Sequence, residues 1–310
     1  MPYNNISIVY MGTPEFAVPP LQALVSAGYN VKAVVTVADK PSGRGRKLTP
    51  SAVKQASLEL GIPVLQPTSL KDEEFLKELD ALQADLFVVV AFRMLPKEVW
   101  SRPRLGTFNL HGSLLPQLRG AAPIHWAVMN GLKETGLTTF LIDEQIDTGN
   151  ILLQERLTIE PHWTTGELHD ALLPMGAQLV VDTVKGLIAG AITPQAQDGT
   201  EATHAPKLTK DNTRLDFTLD PNSLVQFVKG LCPFPGAYYG EFKFLGASSC
   251  EKLNPSFQPM LRVRDKRLFL DYELGSIEIT QIKPAGKRLM SSADYINGLN
   301  RAQIPLEKPV

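Results

Sequence analysis

Ile6-Ser-Ile-Val-Tyr-Met-Gly-Thr-Pro-Glu-Phe-Ala-Val-Pro-Pro-Leu-Gln-Ala-Leu-Val-Ser-Ala-Gly-Tyr-Asn-Val-Lys-Ala-Val-Val-Thr-Val37 reads as one strand–helix–strand unit. Residues 6–11 form a short apolar run closed by Gly12. Phe16, Ala17, Leu21, Leu24 and Val25 then form a helical stripe that stops at Gly28, and 31–37 resumes a strand. The same alternation continues outward. The pattern predicts a helix over 51–60 ended by Gly61, a strand over 62–65, a charged amphipathic helix over 71–82 and a fully apolar strand over 86–92. A fifth strand over 106–111 follows, then a helix around 123–130. Strands separated by helices at this spacing imply βαβ units and a mostly parallel sheet covered on both faces.

The chain has 310 residues, enough for about two domains. After Gly136 the texture changes: strands over 137–142 and 151–159 flank a loop, and 164–189 is one long helical segment. Residues 194–206 are polar and read as a linker. Beyond them come short strand-like pieces over 237–245, 261–263, 268–272 and 276–282, with no long helix after Val228. The expected architecture is α/β: a Rossmann-like, mostly parallel sheet over 1–190, a linker over 191–207, and a small OB-like β-barrel over 208–310.

Hydrophobic residues at 44% and charged residues at 20% fit a globular chain and exclude a disordered one. The longest apolar run, 86–92, is far shorter than the roughly 20 residues that span a bilayer. The first residues carry neither a basic nor an apolar leader segment. Cys232 and Cys250 have no metal-type spacing. A monomer in a reducing cytoplasm, away from membranes, is the expectation. Net charge is −1, but residues 208–310 hold 14 Lys and Arg against 11 Asp and Glu, so basic character is concentrated there.

The turn after the first strand lacks G-x-G-x-x-G, and no G-x-x-x-x-G-K-[ST] occurs, which argues against NAD, FAD and ATP. The most informative segment is Thr107-Phe-Asn-Leu-His-Gly-Ser-Leu-Leu-Pro116. Asn109 and His111 lie two apart on a strand and so face the same way, at the strand end where ligands bind in open α/β sheets. A structural hydrogen-bonded pair is one reading. The other is a pair of N–H donors for an oxyanion growing on a carbonyl. The acidic loop 142–149 ends in Asp147-Thr-Gly149, and a carboxylate there could orient His111 and hold it charged. G-x-S-x-G is absent, so a covalent intermediate is not indicated. Direct attack by one bound substrate on a carbonyl of another is.

Asn109-Leu-His-Gly-Ser-Leu-Leu-Pro116, Arg119-Gly-Ala-Ala-Pro-Ile124 and Asp147-Thr-Gly149 together resemble the signature of 10-formyltetrahydrofolate-dependent formyltransferases. Met11-Gly-Thr-Pro-Glu-Phe16, Asp39-Lys-Pro-Ser-Gly-Arg-Gly-Arg-Lys-Leu48, Ser51-x-Val53-Lys54 and Lys283-Pro-Ala-Gly-Lys-Arg-Leu-Met-Ser291 are similar to the members that act on initiator Met-tRNA. The resemblance runs from about Ile6 to Ser291. It implies a catalytic trio of Asn109, His111 and Asp147, and attack by the α-amine of Met-tRNA on the formyl group of 10-formyltetrahydrofolate. Ser113, Leu114, Leu115 and Pro116 would border the folate, and the chemistry would need no metal. Ala91-Phe-Arg-Met-Leu-Pro96 is one residue shorter than the family's A-Y-G-x-I-L-P, a segment that borders the pterin in relatives.

Lys40, Arg44, Arg46, Lys47 and Lys54 cluster within fifteen residues against the single acid Asp39. In relatives this loop enters the tRNA acceptor end, which implies tRNA contacts for Arg44, Arg46 and Lys47. Lys287 and Arg288, with Lys283, supply a second basic patch on the C-terminal domain. Formyltransferases of amino sugar nucleotides or glycinamide ribonucleotide would share the trio. The basic loop and terminal domain favour tRNA. A catalytically silent RNA-binding protein on the same scaffold would be expected to carry a damaged trio.

Overall fold

The structure, a computed structural model, describes residues 6–42, 47–249, 256–301 and 307–309. The chain runs β1 (Ser7–Gly12), α1 (Val18–Ser26), β2 (Asn30–Val35), the short pair β3 (Lys40–Ser42) and β4 (Lys47–Thr49), then α2 (Ala52–Glu59) and β5 (Val64–Leu65). It continues through α3 (Glu73–Ala81), β6 (Leu86–Val90), α4 (Lys97–Trp100), β7 (Thr107–His111), β8 (Arg119–Gly120), α5 (Pro123–Met129), β9 (Glu134–Leu141), β10 (Ile151–Thr158) and α6 (Thr165–Ile188). Beyond lie β11 (His204–Ala205), α7 (Pro221–Gly230), β12 (Ala237–Tyr239), β13 (Phe242–Ser249), β14 (Met260–Arg264), β15 (Arg267–Tyr272), β16 (Gly275–Pro284), β17 (Met290–Ser291), α8 (Ser292–Arg301) and β18 (Glu307–Pro309).

Two compact units emerge. The first takes in residues up to 120 with 135–157 and 169–204, and the second holds 121–134, 158–168 and 205 onward. The division is therefore interleaved rather than a single cut at 191–207. Residues 121–134 belong with the C-terminal part because Met129 and Trp126 pack into the same apolar core as Leu224, Val228 and Phe244.

In the first unit the sheet order is β10-β9-β7-β6-β1-β2-β5. β5, β2, β1, β6 and β7 run parallel and β9 pairs antiparallel to β7. Every residue of β1 and β6 is buried, as strands covered on both faces require. The helices start on side-chain caps. Ser51 accepts from the Lys54 N–H, and Asp72 from the N–H groups of Glu74 and Phe75. Parallel strands place their carboxyl ends on one edge, and for β7 that end is His111.

The second unit is built on an antiparallel sheet ordered β12-β13-β16-β15-β14-β18, with β17 on β16. Phe244, Leu270 and Ile279 are fully buried in the core that it forms with α7 and α8. The Asp271 carboxylate is also fully buried, and it accepts from Arg262, Arg264 and the Ser276 hydroxyl. α8 is a ten-residue helix in the stretch where the sequence reading expects strands and no long helix. Its short apolar stripe (Tyr295, Ile296, Leu299) is set by Ser291, whose hydroxyl accepts the Asp294 N–H at 3.1 Å.

Candidate active site

β7 carries Asn109 and His111 on one face, paired across to Phe140 and Thr138 of β9. The Asn109 amide is half-buried and takes part in no hydrogen bond among the described residues. His111 is 5% exposed, with its ring edge-on to Phe140. Its Nε2 lies 2.9 Å from the Leu118 carbonyl. A carbonyl only accepts, so Nε2 carries the proton and Nδ1 is the nitrogen left to the site.

Nδ1 faces Asp147, 3.8 Å from Oδ2. The acidic loop 142–149 thus brings a carboxylate beside the histidine. The carboxylate is anchored elsewhere: Oδ2 accepts the Gly120 N–H at 2.8 Å. Asp147 and Leu118 both hold left-handed backbones, with φ of 55° and 58°. Such conformations cost energy in non-glycine residues and persist where surrounding contacts enforce them. Gly149 follows for steric reasons, since a Cβ there would lie 1.7 Å from the Leu141 carbonyl oxygen.

Those enforcing contacts come from the stretch that reads in sequence as a linker. Gln197 donates through Nε2 to the carbonyls of Asp147 and Gly149, at 3.0 and 2.8 Å, and accepts from Arg119. Thr203 Oγ1 accepts the Leu118 N–H at 2.8 Å, and its carbonyl accepts the Arg119 N–H. The polarity of 194–206 thus reflects bonding to the site loops. In sequence, a polar segment that binds backbone and one that is merely solvated look the same.

Loop 112–118 is held in the same way. The Ser113 hydroxyl is buried and donates to the Gln117 carbonyl, while the Thr138 hydroxyl accepts the Leu115 N–H and donates to the Ser113 carbonyl. Gln154 donates to the Leu115 carbonyl. Leu115 is buried, and Leu114 and Pro116 are half-buried.

Arg93 follows β6. Its Nη atoms donate to the carbonyls of Pro67 and Thr68, and burial pulls the guanidinium below its ordinary value. At the base of the β3–β4 pair, Lys54 bonds Asp39 and Gln66 at 2.7 Å each. The Lys54 hydrogen bond, followed by that of Gln66, holds the Asp39 carboxyl below its usual value against the smaller opposing effect of desolvation. Lys54 is therefore engaged inside the fold, a correction to its place in the basic cluster. Arg44 and Arg46 lie outside the described residues, as does the side chain of Lys47.

In the second unit a cavity of about 830 Å³ is lined by Lys207, Lys210, Lys243, Lys283 and Phe234, the last 76% exposed. Lys287 and Arg288 are exposed in the segment that continues from the lining residue Gly286. Sequence reading found Lys283 but missed the other three lysines, which are far apart in the chain. Among the described residues, no group of three His, Cys, Asp or Glu side chains could hold a metal.

A family model described as formyl transferase matches residues 4–184, and one described as formyl transferase, C-terminal domain, matches 207–300. The chain is 46% identical to the methionyl-tRNA formyltransferase of Parabacteroides distasonis, over 97% of this chain and 98% of that one. It is 44% identical to that of Moorella thermoacetica, over 94% and 96%. Among solved structures it resembles HypX from Aquifex aeolicus in complex with tetrahydrofolic acid, with a TM-score of 0.66 and 16% identity. That match covers 97% of this chain and about half (48%) of HypX. An N-formyltransferase from Helicobacter canadensis, in complex with folinic acid and dTDP-3-aminofucose, gives a TM-score of 0.65 at 17% identity over 88% and 98%. At these identities the structural likeness speaks to fold.

Proposed function

The chain belongs to the formyl transferase family, among its methionyl-tRNA formyltransferases, and we propose that Asn109, His111 and Asp147 carry out its reaction. The enzyme transfers a formyl group to the methionine of Met-tRNA, with a folate as co-substrate. The donor in this reading is 10-formyltetrahydrofolate and the acceptor is initiator Met-tRNA. The α-amine nitrogen attacks the formyl carbon and forms the new C–N bond, giving a tetrahedral oxyanion. The bond from that carbon to folate N10 then breaks. N10 gains the proton that the amine loses, and the products are formylmethionyl-tRNA and tetrahydrofolate.

The observation that carries this reading is the juxtaposition of Asn109 and His111 on one face of β7, with Asp147 3.8 Å from His111 Nδ1. The Asn109 amide N–H and the Nδ1–H of an imidazolium would donate to the oxyanion. Fixed donors aimed at developing charge need no reorganisation during reaction. Asp147 stabilises that imidazolium and relays the proton from amine to N10 through solvent. Ser113, Leu114, Leu115 and Pro116 shape the folate side of the site. The buried Ser113 hydroxyl acts by holding the loop, since it is bonded to Gln117.

For tRNA, the reading assigns phosphate contacts to Arg44, Arg46, Lys47, Lys287 and Arg288. The four-lysine cavity beside exposed Phe234 supports it, since basic side chains around an aromatic surface suit single-stranded RNA. The test supplies 10-formyltetrahydrofolate with Met-tRNA, an amino sugar nucleotide or glycinamide ribonucleotide, and follows formyl transfer to each. Transfer to Met-tRNA alone is expected. Transfer to one of the small acceptors instead would overturn the acceptor assignment.

A further inference from the structure

We propose that Arg93 is a positioning residue for the folate co-substrate, strapping the loop after β5 to the loop after β6 so that the folate side of the site is set before binding. The proposal rests on the formyl-folate reading above.

The placement follows from the sheet. β6 lies between β1 and β7, with Val89 and Val90 in register with Asn109 and Leu110. The segment that leaves the carboxyl end of β6 therefore emerges beside the site, and in open α/β sheets this edge is where ligands lie. Ala91 turns the chain sharply there, with φ of 46°. Arg93 comes two residues later, and its two Nη atoms reach the carbonyls of Thr68 and Pro67, at 3.0 and 2.6 Å. Those carbonyls belong to the loop that follows β5, at the far edge of the sheet. Arg93 Nε is buried without a hydrogen-bond partner among the described residues, and the guanidinium is held by its two Nη hydrogen bonds and by the Phe92 ring, whose centroid lies 5.7 Å from Cζ.

The strap extends one step further. Gln66, adjacent to Pro67, donates to the Val37 carbonyl and to Asp39, tying the same loop to the end of β2. Loops at the ends of three parallel strands are thus cross-linked by side chains. The six-residue turn Ala91–Pro96 is one residue shorter than the A-Y-G-x-I-L-P turn that the family resemblance implies, which has a glycine at the place of Arg93. A glycine has no side chain to make this bridge. Arg93 supplies by a planar, two-pronged donor what the longer turn would supply by its own backbone length. Preorganised loops lower the ordering cost of binding, so loss of the strap falls on folate affinity and not on the chemical step.

The test measures the Kd of folinic acid, an unreactive formyl-folate, together with kcat and both KM values. The proteins are wild type, Arg93→Ala, Arg93→Lys and a graft in which Arg93-Met94 is replaced by Gly-Leu-Ile. Arg93→Ala is expected to raise Kd and the formyl-folate KM about tenfold, with the Met-tRNA KM unchanged. Arg93→Lys, which reaches one carbonyl at a time, should fall between, and the graft should restore Kd to within about threefold of wild type. An unchanged Kd in folded Arg93→Ala, or a graft no better than alanine, overturns the proposal. So does an equal rise in both KM values, which marks general loosening. If Arg93→Ala does not fold, the lysine variant and the graft decide. Wild-type protein that fails to bind folinic acid would instead count against the formyl-folate reading itself.

Discussion

His111 Nδ1 and Asp147 Oδ2 stand 3.8 Å apart, close enough for charge pairing but beyond a hydrogen bond. The carboxylate is oriented by the backbone, through the Gly120 N–H, and the ring by the Leu118 carbonyl. Each group is thus fixed independently of the other. The gap leaves Nδ1 open to a substrate oxygen, to which it donates in the imidazolium form that the proposed reaction uses, and Oδ2 able to accept from a substrate amine.

Gln197 holds that arrangement from outside, through the Asp147 and Gly149 carbonyls. Gln197→Ala should lower kcat about tenfold while both KM values stay within twofold, because only the placement of the reacting groups is relaxed. Steady-state kinetics checks this. A rise in KM without a fall in kcat would assign Gln197 to binding instead.

Arg44→Ala and Lys283→Ala each test one of the proposed tRNA contacts. Each should raise the KM for Met-tRNA and reduce the salt slope of tRNA binding by about 1, as expected for loss of one phosphate contact. Binding titrations from low to high salt give the slope. Unchanged slopes would remove these residues from the interface.

Much of this was legible in sequence. The apolar runs of β1 and β6 are local signals, and local signals survive the loss of three dimensions. The pair Asn109 and His111 could be read because strand periodicity alone puts them on one face. What escaped reading depends on contacts between distant residues: Gln197 on Asp147, Thr203 on Leu118, Arg93 on Pro67, and Lys207 beside Lys283 around one cavity. Lys54 read as a loop cation because sequence does not show that Asp39 and Gln66 enclose it. α8 was missed because its apolar stripe is only three residues in a polar segment.

Asp85 pins the start of β1. It accepts the Ser7 N–H at 2.7 Å and pairs with Arg104 at 2.6 Å. Burial pushes its carboxyl up, but the Ser7 N–H, Arg104 and the Ser7 hydroxyl together bring it below the ordinary aspartate value. A depressed folded value means stability that is present above the ordinary carboxylate range and is lost as pH falls through the folded value. The stability difference between wild type and Asp85→Asn should therefore be largest near neutral pH and shrink in acid. Denaturant midpoints at pH 7 and at pH values down through the carboxylate range would read it. A difference that grows in acid would contradict the assignment.

Asp271 is the fully buried anchor of the second sheet, bonded to Arg262, Arg264 and Ser276. Asp271→Ala leaves two largely buried guanidinium groups without their carboxylate, and should cost the second unit about 3–5 kcal/mol. Urea unfolding followed by a probe in that unit gives the value. A loss below about 1 kcal/mol would place this pair among those that contribute little.

The most direct test of the central claim is single-turnover formylation of Met-tRNA by His111→Ala, with 10-formyltetrahydrofolate and tRNA both saturating. Loss of one oxyanion donor predicts a chemical step slower by about 10²–10³, with folinic acid Kd and tRNA affinity close to wild type. A chemical step at the wild-type rate would contradict the account and remove His111 from the reaction.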